Sequence, residues 1–147
     1  MKDARFFEME NKEDTPKVGV GVFLVRDVDI FLMRRKGSHG AGEWSLPGGH
    51  MKPGETFVET AAREVLEETG VVIDGVTDLG FTNDIMLSEG LHYVTLFFKA
   101  KWDTSQEPEI KEPEFHDGSM WCNPTHMPED TWSPLKKFLI SCTPWER

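Results

Sequence analysis

Three glutamates, Glu64, Glu67 and Glu68, stand within five positions of one another with no lysine between them. On a helix, spacings of i, i+3 and i+4 place all three on one face, and like charges so arranged cost roughly 0.2–0.5 kcal/mol per pair. A solvated acidic face is the ordinary explanation of such a pattern. Here the acids fall in the last two turns, where the helix dipole disfavours negative charge. Arg63, the one cation beside them on this helix, cannot compensate three carboxylates. A hard divalent cation removes the penalty, because Mg²⁺ takes carboxylates, waters and substrate phosphates as oxygen ligands. The chemistry favoured by such an ion is the clamping of a phosphate oxygen and the activation of a water beside it.

The elements that must position these acids are legible on either side. Thr56 with Glu59 three residues later is a capping-box pattern, and Gly70 stands where a C-terminal cap belongs. Between them Phe57, Val58, Ala61, Ala62, Val65 and Leu66 recur at helical spacing and predict one apolar stripe, with the acids facing away from it. Before the helix, Leu46-Pro47-Gly48-Gly49 permits close backbone approach, so a main-chain carbonyl could join a metal shell, or the glycines form a plain tight turn. Pro53-Gly54 is a second turn signal.

Residues 17–25 alternate small and β-branched side chains and predict a buried strand. A turn at 26–29 and a strand at 30–34 follow, then a glycine-rich loop over 36–43 and short extended pieces near 44–46 and 50–52. Further strands are expected at 71–73, 79–84, 92–102 and 115–122, a loop at 104–113 and a terminal helix at 132–141. Phe23, Phe97 and Phe98 are expected in the core. Strands with two helices in this order predict an α/β fold with a mixed sheet between helical layers. Residues 1–16 read as a flexible polar lead-in and 17–147 as one domain, a length able to bury a core unaided.

Charge narrows the partners. With 26 acidic residues against 16 basic ones the net charge is −10, which argues against a nucleic-acid polymer, held mainly by Lys and Arg on its phosphates. A polyanionic ligand must be attracted locally or through metal. The longest apolar run, residues 18–25, is too short to span a bilayer, and the charged N-terminus lacks a signal-peptide core. With only Cys122 and Cys142, reduced thiols and a cytoplasmic location are expected.

Gly49, five residues, Glu55, seven residues, and then Arg63-Glu64-Val65-Leu66-Glu67-Glu68-Thr69-Gly70-Val71 together resemble the Nudix box at every defined position. The resemblance implies an α/β/α sandwich that cleaves a diphosphate linkage with Mg²⁺, Mn²⁺ substituting. It implies that Glu64 and Glu68 bind the principal ion with the Gly48 carbonyl, that Glu67 assists a further ion, and that Arg63 positions a catalytic glutamate. Glu55 would be structural, and either Glu64 or Glu67 the general base.

The flanks bear on substrate. No proline occurs between Pro53 and Pro108, and Tyr93, the only tyrosine, lies 22 residues beyond Val71. Both facts weigh against the ADP-ribose and dinucleoside polyphosphate branches of the family. Arg34-Arg35-Lys36-Gly37-Ser38, Leu46-Pro47-Gly48-Gly49-His50, His92-Tyr93-Val94, Glu112-Pro113-Glu114 and Trp132-Ser133-Pro134-Leu135 resemble a nucleoside triphosphate diphosphatase branch. Members of that branch act on dGTP-like, oxidised guanine or pterin triphosphates and often form homodimers.

In that setting Arg35 is a phosphate-binding candidate through its planar fork, or a solvated strand-end charge. Glu114 is the candidate fourth metal-facing carboxylate, or simply another acid in an acidic loop. Ser45 and Gly49 are expected near the substrate. Trp132 is expected to stack on the base or to pack in the core or a dimer interface, and Ser133 departs from the aromatic pattern of the branch. His50 and His92 are read as hydrogen-bonding scaffolds rather than bases. The reaction expected is hydrolysis of a nucleoside triphosphate to monophosphate and pyrophosphate. A dinucleotide or nucleotide-sugar pyrophosphatase is the nearest rival, and a non-catalytic nucleotide-binding module a distant one.

Overall fold

The computed structural model describes residues 15–37 and 40–141. Ten regular elements occupy them: β1 (Lys17–Phe23), β2 (Val25–Arg26), β3 (Asp29–Arg35), β4 (Trp44–Ser45), β5 (Gly48–His50), α1 (Phe57–Thr69), β6 (Ile73–Met86), β7 (Leu91–Trp102), β8 (His116–Cys122) and α2 (Ser133–Ser141). Short 3-10 turns at Leu87–Glu89 and Pro124–His126 join their neighbours. The expected lead-in lies almost wholly outside the described residues, as do Ser38 and Cys142.

One sheet is mixed, in the order β5-β1-β7-β6, with β1 parallel to β7 and the other pairs antiparallel. The second sheet is antiparallel, with β3 pairing β2, β4 and β8. Period-two alternation divides the strands between two cores. Val20, Val22 and Leu24, with Phe31, Met33, Phe98 and Ala100, pack against Ala61 and Val65 of α1. The intervening Phe23, Ile30, Leu32 and Phe97 pack against Leu135 and Phe138 of α2. Helices therefore cover opposite faces, as an α/β/α sandwich requires, and Phe23, Phe97 and Phe98 are buried as expected.

Two expectations are revised. The separate strands at 71–73 and 79–84 form the single β6, 14 residues long. Register shifts against β7 at Gly75 and Gly80 restart its alternation, which hides its continuity from a periodicity search. Gly80 has φ 149°, and a Cβ there would meet Phe138 Cε2 at 3.2 Å, so glycine also lets α2 seat on the strand.

The predicted apolar stripe of α1 is buried only in part, at Ala61 and Val65. Thr60, Ala61, Val65, Glu68 and Thr69 are buried, whereas Phe57, Val58 and Leu66 are about half exposed. Ala61, Val65 and Glu68 follow i, i+4, i+7, so Glu68 belongs to the inward face rather than to an acidic face turned away. The helix ends are as expected. Glu59 N–H donates to Thr56 Oγ1 at 3.1 Å, and Gly70, at φ 76°, donates its N–H to the Leu66 carbonyl. No helix among the described residues is long and apolar enough to cross a membrane.

Candidate active site

The two glycines of β5 decide how closely the acids of α1 approach the sheet. A Cβ on Gly48 would lie 1.9 Å from the Val20 carbonyl oxygen, and one on Gly49 would lie 2.5 Å from the Glu64 carboxylate. Glu64 thus presses against the Gly49 backbone, and Gly48 N–H points at Glu68 Oε2 from 3.3 Å. Any side chain at either glycine would fill the space that brings helix and strand together.

Glu68 is buried, and burial first, then the charge of Glu64, push its carboxyl well above the ordinary range. Among the described residues no lysine or arginine pairs with it. His116 Nε2 is 3.8 Å from its Oε2, but burial and the nearby Arg35 hold that imidazole below its ordinary value and therefore neutral at pH 7. A buried carboxylate in contact with a second carboxylate, and lacking a cation, is a donor set that suits a hard divalent ion. No three acidic or imidazole side chains are gathered for chelation among the described residues. Two carboxylates completed by waters and substrate phosphates are the usual surroundings of Mg²⁺.

Arg63 organises the rim. Its Nε and Nη2 donate to the two carboxylate oxygens of Glu55 at 2.7 and 2.9 Å, Nη1 donates to Glu64 at 2.9 Å, and Nη2 also donates to the His50 carbonyl at 3.0 Å. Glu67 is more loosely held, 3.4 Å from Nη1 with 45% of its side chain exposed. Glu55 further accepts from Lys52 N–H at 2.7 Å and from the Thr60 hydroxyl at 3.2 Å, tying the loop to α1. The Arg63 guanidinium first, and then Lys52 N–H, hold the Glu55 carboxyl down at about 2.

A folded-state value below the unfolded one means stability that is present above about pH 4.5 and lost as pH falls through about 2. Melting temperature measured from pH 5 to pH 2 should therefore fall more steeply in the native protein than in Glu55→Gln. Parallel curves would show that this contact does not form in solution.

The fourth acid differs from expectation. Glu114 is exposed and does not line the cavity described below, whereas Glu112 does. Burial, followed by the charges of Glu67, Glu114 and Glu64, raises the Glu112 carboxyl. The cause of this placement is the 104–113 loop. Glu109 and Lys111 donate their N–H groups to the Thr69 and Glu68 carbonyls, each at 3.0 Å, satisfying the open end of α1 and delivering Glu112 to the acids. The Phe115 and His116 N–H groups then fold back on the Glu112 carbonyl, and this turn carries Glu114 outward.

A cavity of about 930 Å³ opens beside the acids. Arg35, Ser45, Gly49 and Trp132, the expected substrate contacts, all line it, together with Gly48, Glu68, Glu112 and His116. Arg35 stacks over the Trp132 ring with its guanidinium carbon 5.3 Å from the centroid, and Trp132 is half-buried against the α2-side core. Its two expected roles are thus compatible in one side chain. His50 stacks on Tyr93 and shares a 3.2 Å hydrogen bond with it, and His92 bonds Asn83 at 2.6 Å, both as scaffolds. Glu112 falls in the Glu112-Pro113-Glu114 motif and His116 in the expected 115–122 strand, but nothing along the chain tells which of these side chains turns toward the acids.

Residues 15–142 match the NUDIX domain. The chain belongs to the NUDIX family. As a Nudix hydrolase it falls among enzymes acting on acid anhydrides, and its fold is that of MutT-like members. It is 36% identical over 137 residues to the oxidized purine nucleoside triphosphate hydrolase of Danio rerio, with 85% of each chain covered. It is 30% identical to the ADP-ribose pyrophosphatase of Methanocaldococcus jannaschii, over 69% of this chain and 62% of that one. A 35% match to the 8-oxo-dGDP phosphatase NUDT18 of Mus musculus covers 48% of this chain but only 22% of the longer protein. The crystal structure of the MutT NUDIX hydrolase from Burkholderia pseudomallei superposes with a TM-score of 0.81 at 31% identity, over 88% of this chain and 99% of that one.

Proposed function

We propose that this Nudix hydrolase cleaves a (deoxy)nucleoside triphosphate or close analogue to the monophosphate and pyrophosphate, with Mg²⁺ as cofactor and Mn²⁺ able to substitute. The observation that carries this reading is the continuous cavity. Two acids, Glu68 and Glu112, stand on its wall beside the glycines, and Arg35 with the Trp132 ring face the same space. The Danio relative's oxidised purine triphosphate substrate favours the same class.

Glu64 and Glu68, with the Gly48 carbonyl, would hold the principal ion, and Glu67 and Glu112 would assist a further one. When bound, the ion neutralises phosphate charge and polarises the attacking water. Arg63 fixes Glu64 through its 2.9 Å bond while its other donors lock the Glu55 loop, so that carboxylate is oriented before substrate arrives. Glu67, half exposed and held only at 3.4 Å, keeps access to a water and serves as the general base. Arg35 binds phosphate oxygens by its fork, and Trp132 offers its face to the base. We further propose a cytoplasmic homodimer that does not bind a nucleic-acid polymer, in keeping with the branch resemblance and the net charge of −10.

The test is Mg²⁺-dependent product release from dGTP, 8-oxo-dGTP, dCTP, dTTP, dihydroneopterin triphosphate, ADP-ribose and a dinucleoside polyphosphate. Pyrophosphate with monophosphate, from one or more triphosphates, is the expected outcome. Cleavage of ADP-ribose alone, the substrate in the name of the Methanocaldococcus relative, would overturn the substrate class and leave the metal site standing.

A further inference from the structure

A further carboxylate faces the same cavity from its far side. Register carries the rows of the mixed sheet from Gly48, Gly49 and His50 on β5 across β1 and β7 to β6. Three strand spacings separate the sheet's two edges, about 14 Å. On the α2 face of that sheet Gly19, Gly21 and Thr95 form a floor with little side-chain bulk, and Asp84 closes it on β6. Asp84 is 8% exposed. Its Oδ2 has no hydrogen-bond partner, and its Oδ1 has Lys137 Nζ at 3.5 Å. Lys137 also lines the cavity and donates to the Asn83 carbonyl at 2.9 Å, which anchors the ammonium beside the carboxylate.

A buried carboxylate is an acceptor that costs free energy until donors reach it. The acids meet the sheet at the β5 edge, where Gly49 turns to Glu64, whereas Asp84 stands on β6 on the opposite, α2-facing side, so it is not placed to join the metal shell. Its distance from that edge suits the base end of a nucleotide whose phosphates lie against Glu68. The geometry points to Asp84 as the residue that selects the base, accepting two adjacent N–H groups from a guanine-type edge while Lys137 donates to the carbonyl oxygen beside them. The inference rests on reading the cavity as a nucleotide site.

The match is chemical. A carboxylate offers acceptors only, an ammonium donors only. Guanine presents one acceptor and then two donors along its pairing edge, in the order that Lys137 and Asp84 require. Adenine and cytosine set a ring-nitrogen acceptor beside their amino group and would place it against Asp84. Thymine has a single N–H between two carbonyls. Rotation about χ2 of an aspartate is soft and two-fold, so either oxygen turns to a ligand at small cost.

Deoxyinosine triphosphate tests this most sharply, because it lacks only the 2-amino group of dGTP. A bidentate contact of this kind discriminates by about 10- to 100-fold. The native enzyme should therefore prefer dGTP to dITP in kcat/KM by that factor, and Asp84→Asn should bring the ratio to about one. Binding of dGMP and dIMP without metal, followed by tryptophan fluorescence, should show the same preference and the same loss.

Equal rates on dGTP and dITP in the native enzyme would overturn the role of Asp84 while leaving the triphosphatase reading intact, as would an unchanged ratio in the variant. Should Asp84→Asn fail to fold, the native ratio still decides. No pyrophosphate from any triphosphate, with dGMP still bound better than dIMP in an Asp84-dependent way, would remove the proposed reaction and keep the base contact. Neither hydrolysis nor selective binding would overturn both.

Discussion

Replacing Glu68 by Gln lowers turnover on the order of 10³-fold and leaves the fold intact. The loss follows from the several kcal/mol of charge stabilisation that a metal ion contributes at a phosphoryl centre, at about 1.4 kcal/mol per decade of rate. The fold survives because Gln keeps the shape and an oxygen for the Gly48 N–H, and because it removes a buried carboxyl that already resists ionisation. The metal-free variant should melt at or above the native temperature. Addition of Mg²⁺ should raise the melting point of the native protein, by linkage, and not that of the variant. Activity within tenfold of native, or an undiminished response to Mg²⁺, would remove Glu68 from the metal site.

Alanine at the two neighbouring glycines should separate structure from chemistry. Gly48→Ala drives a methyl into the Val20 carbonyl, and no backbone atom can yield without opening the β1–β5 pair. A cost of about 3 kcal/mol is expected for such overpacking, or about 10 °C in melting temperature at this size. Gly49→Ala instead meets the end of the Glu64 side chain, which can swing aside. Its melting point should change little, while activity falls about 10- to 100-fold as Glu64 leaves its position, a loss of the size seen when a ligand's supporting contacts are removed. Calorimetry and initial rates on both variants check the pair. Equal destabilisation by the two would show that the backbone contact at Gly48 is not what sets the strand spacing.

Much of this site was legible before any coordinates. The glutamate spacing, the Thr56 and Gly70 caps and the glycine pair are local features, and local sterics and hydrogen bonding dictate them directly. The identity of the buried helix face was not local. Phe57, Val58 and Leu66 look more apolar than Thr60, Glu68 and Thr69, yet the latter face inward because Glu68 meets the Gly48 N–H of β5 while the two threonine hydroxyls bond Glu55 and backbone carbonyls. Single-helix periodicity cannot register a partner supplied by another strand.

The same holds for the acids and bases drawn from afar. Glu112 reaches the cluster, and Glu114 does not, because two N–H groups of an irregular loop bond the last carbonyls of α1. Asp84 reads in sequence as one more polar residue in a strand broken by glycines. Only the β6–β7 register, shifted at Gly75 and Gly80, turns it onto the cavity floor beside Thr95 and Tyr93. The sequence by itself determined the reaction class through residues close along one helix. The tertiary structure decided which distant side chains meet them, because strand register and loop-to-helix hydrogen bonds act between segments whose spacing along the chain carries no periodic signal.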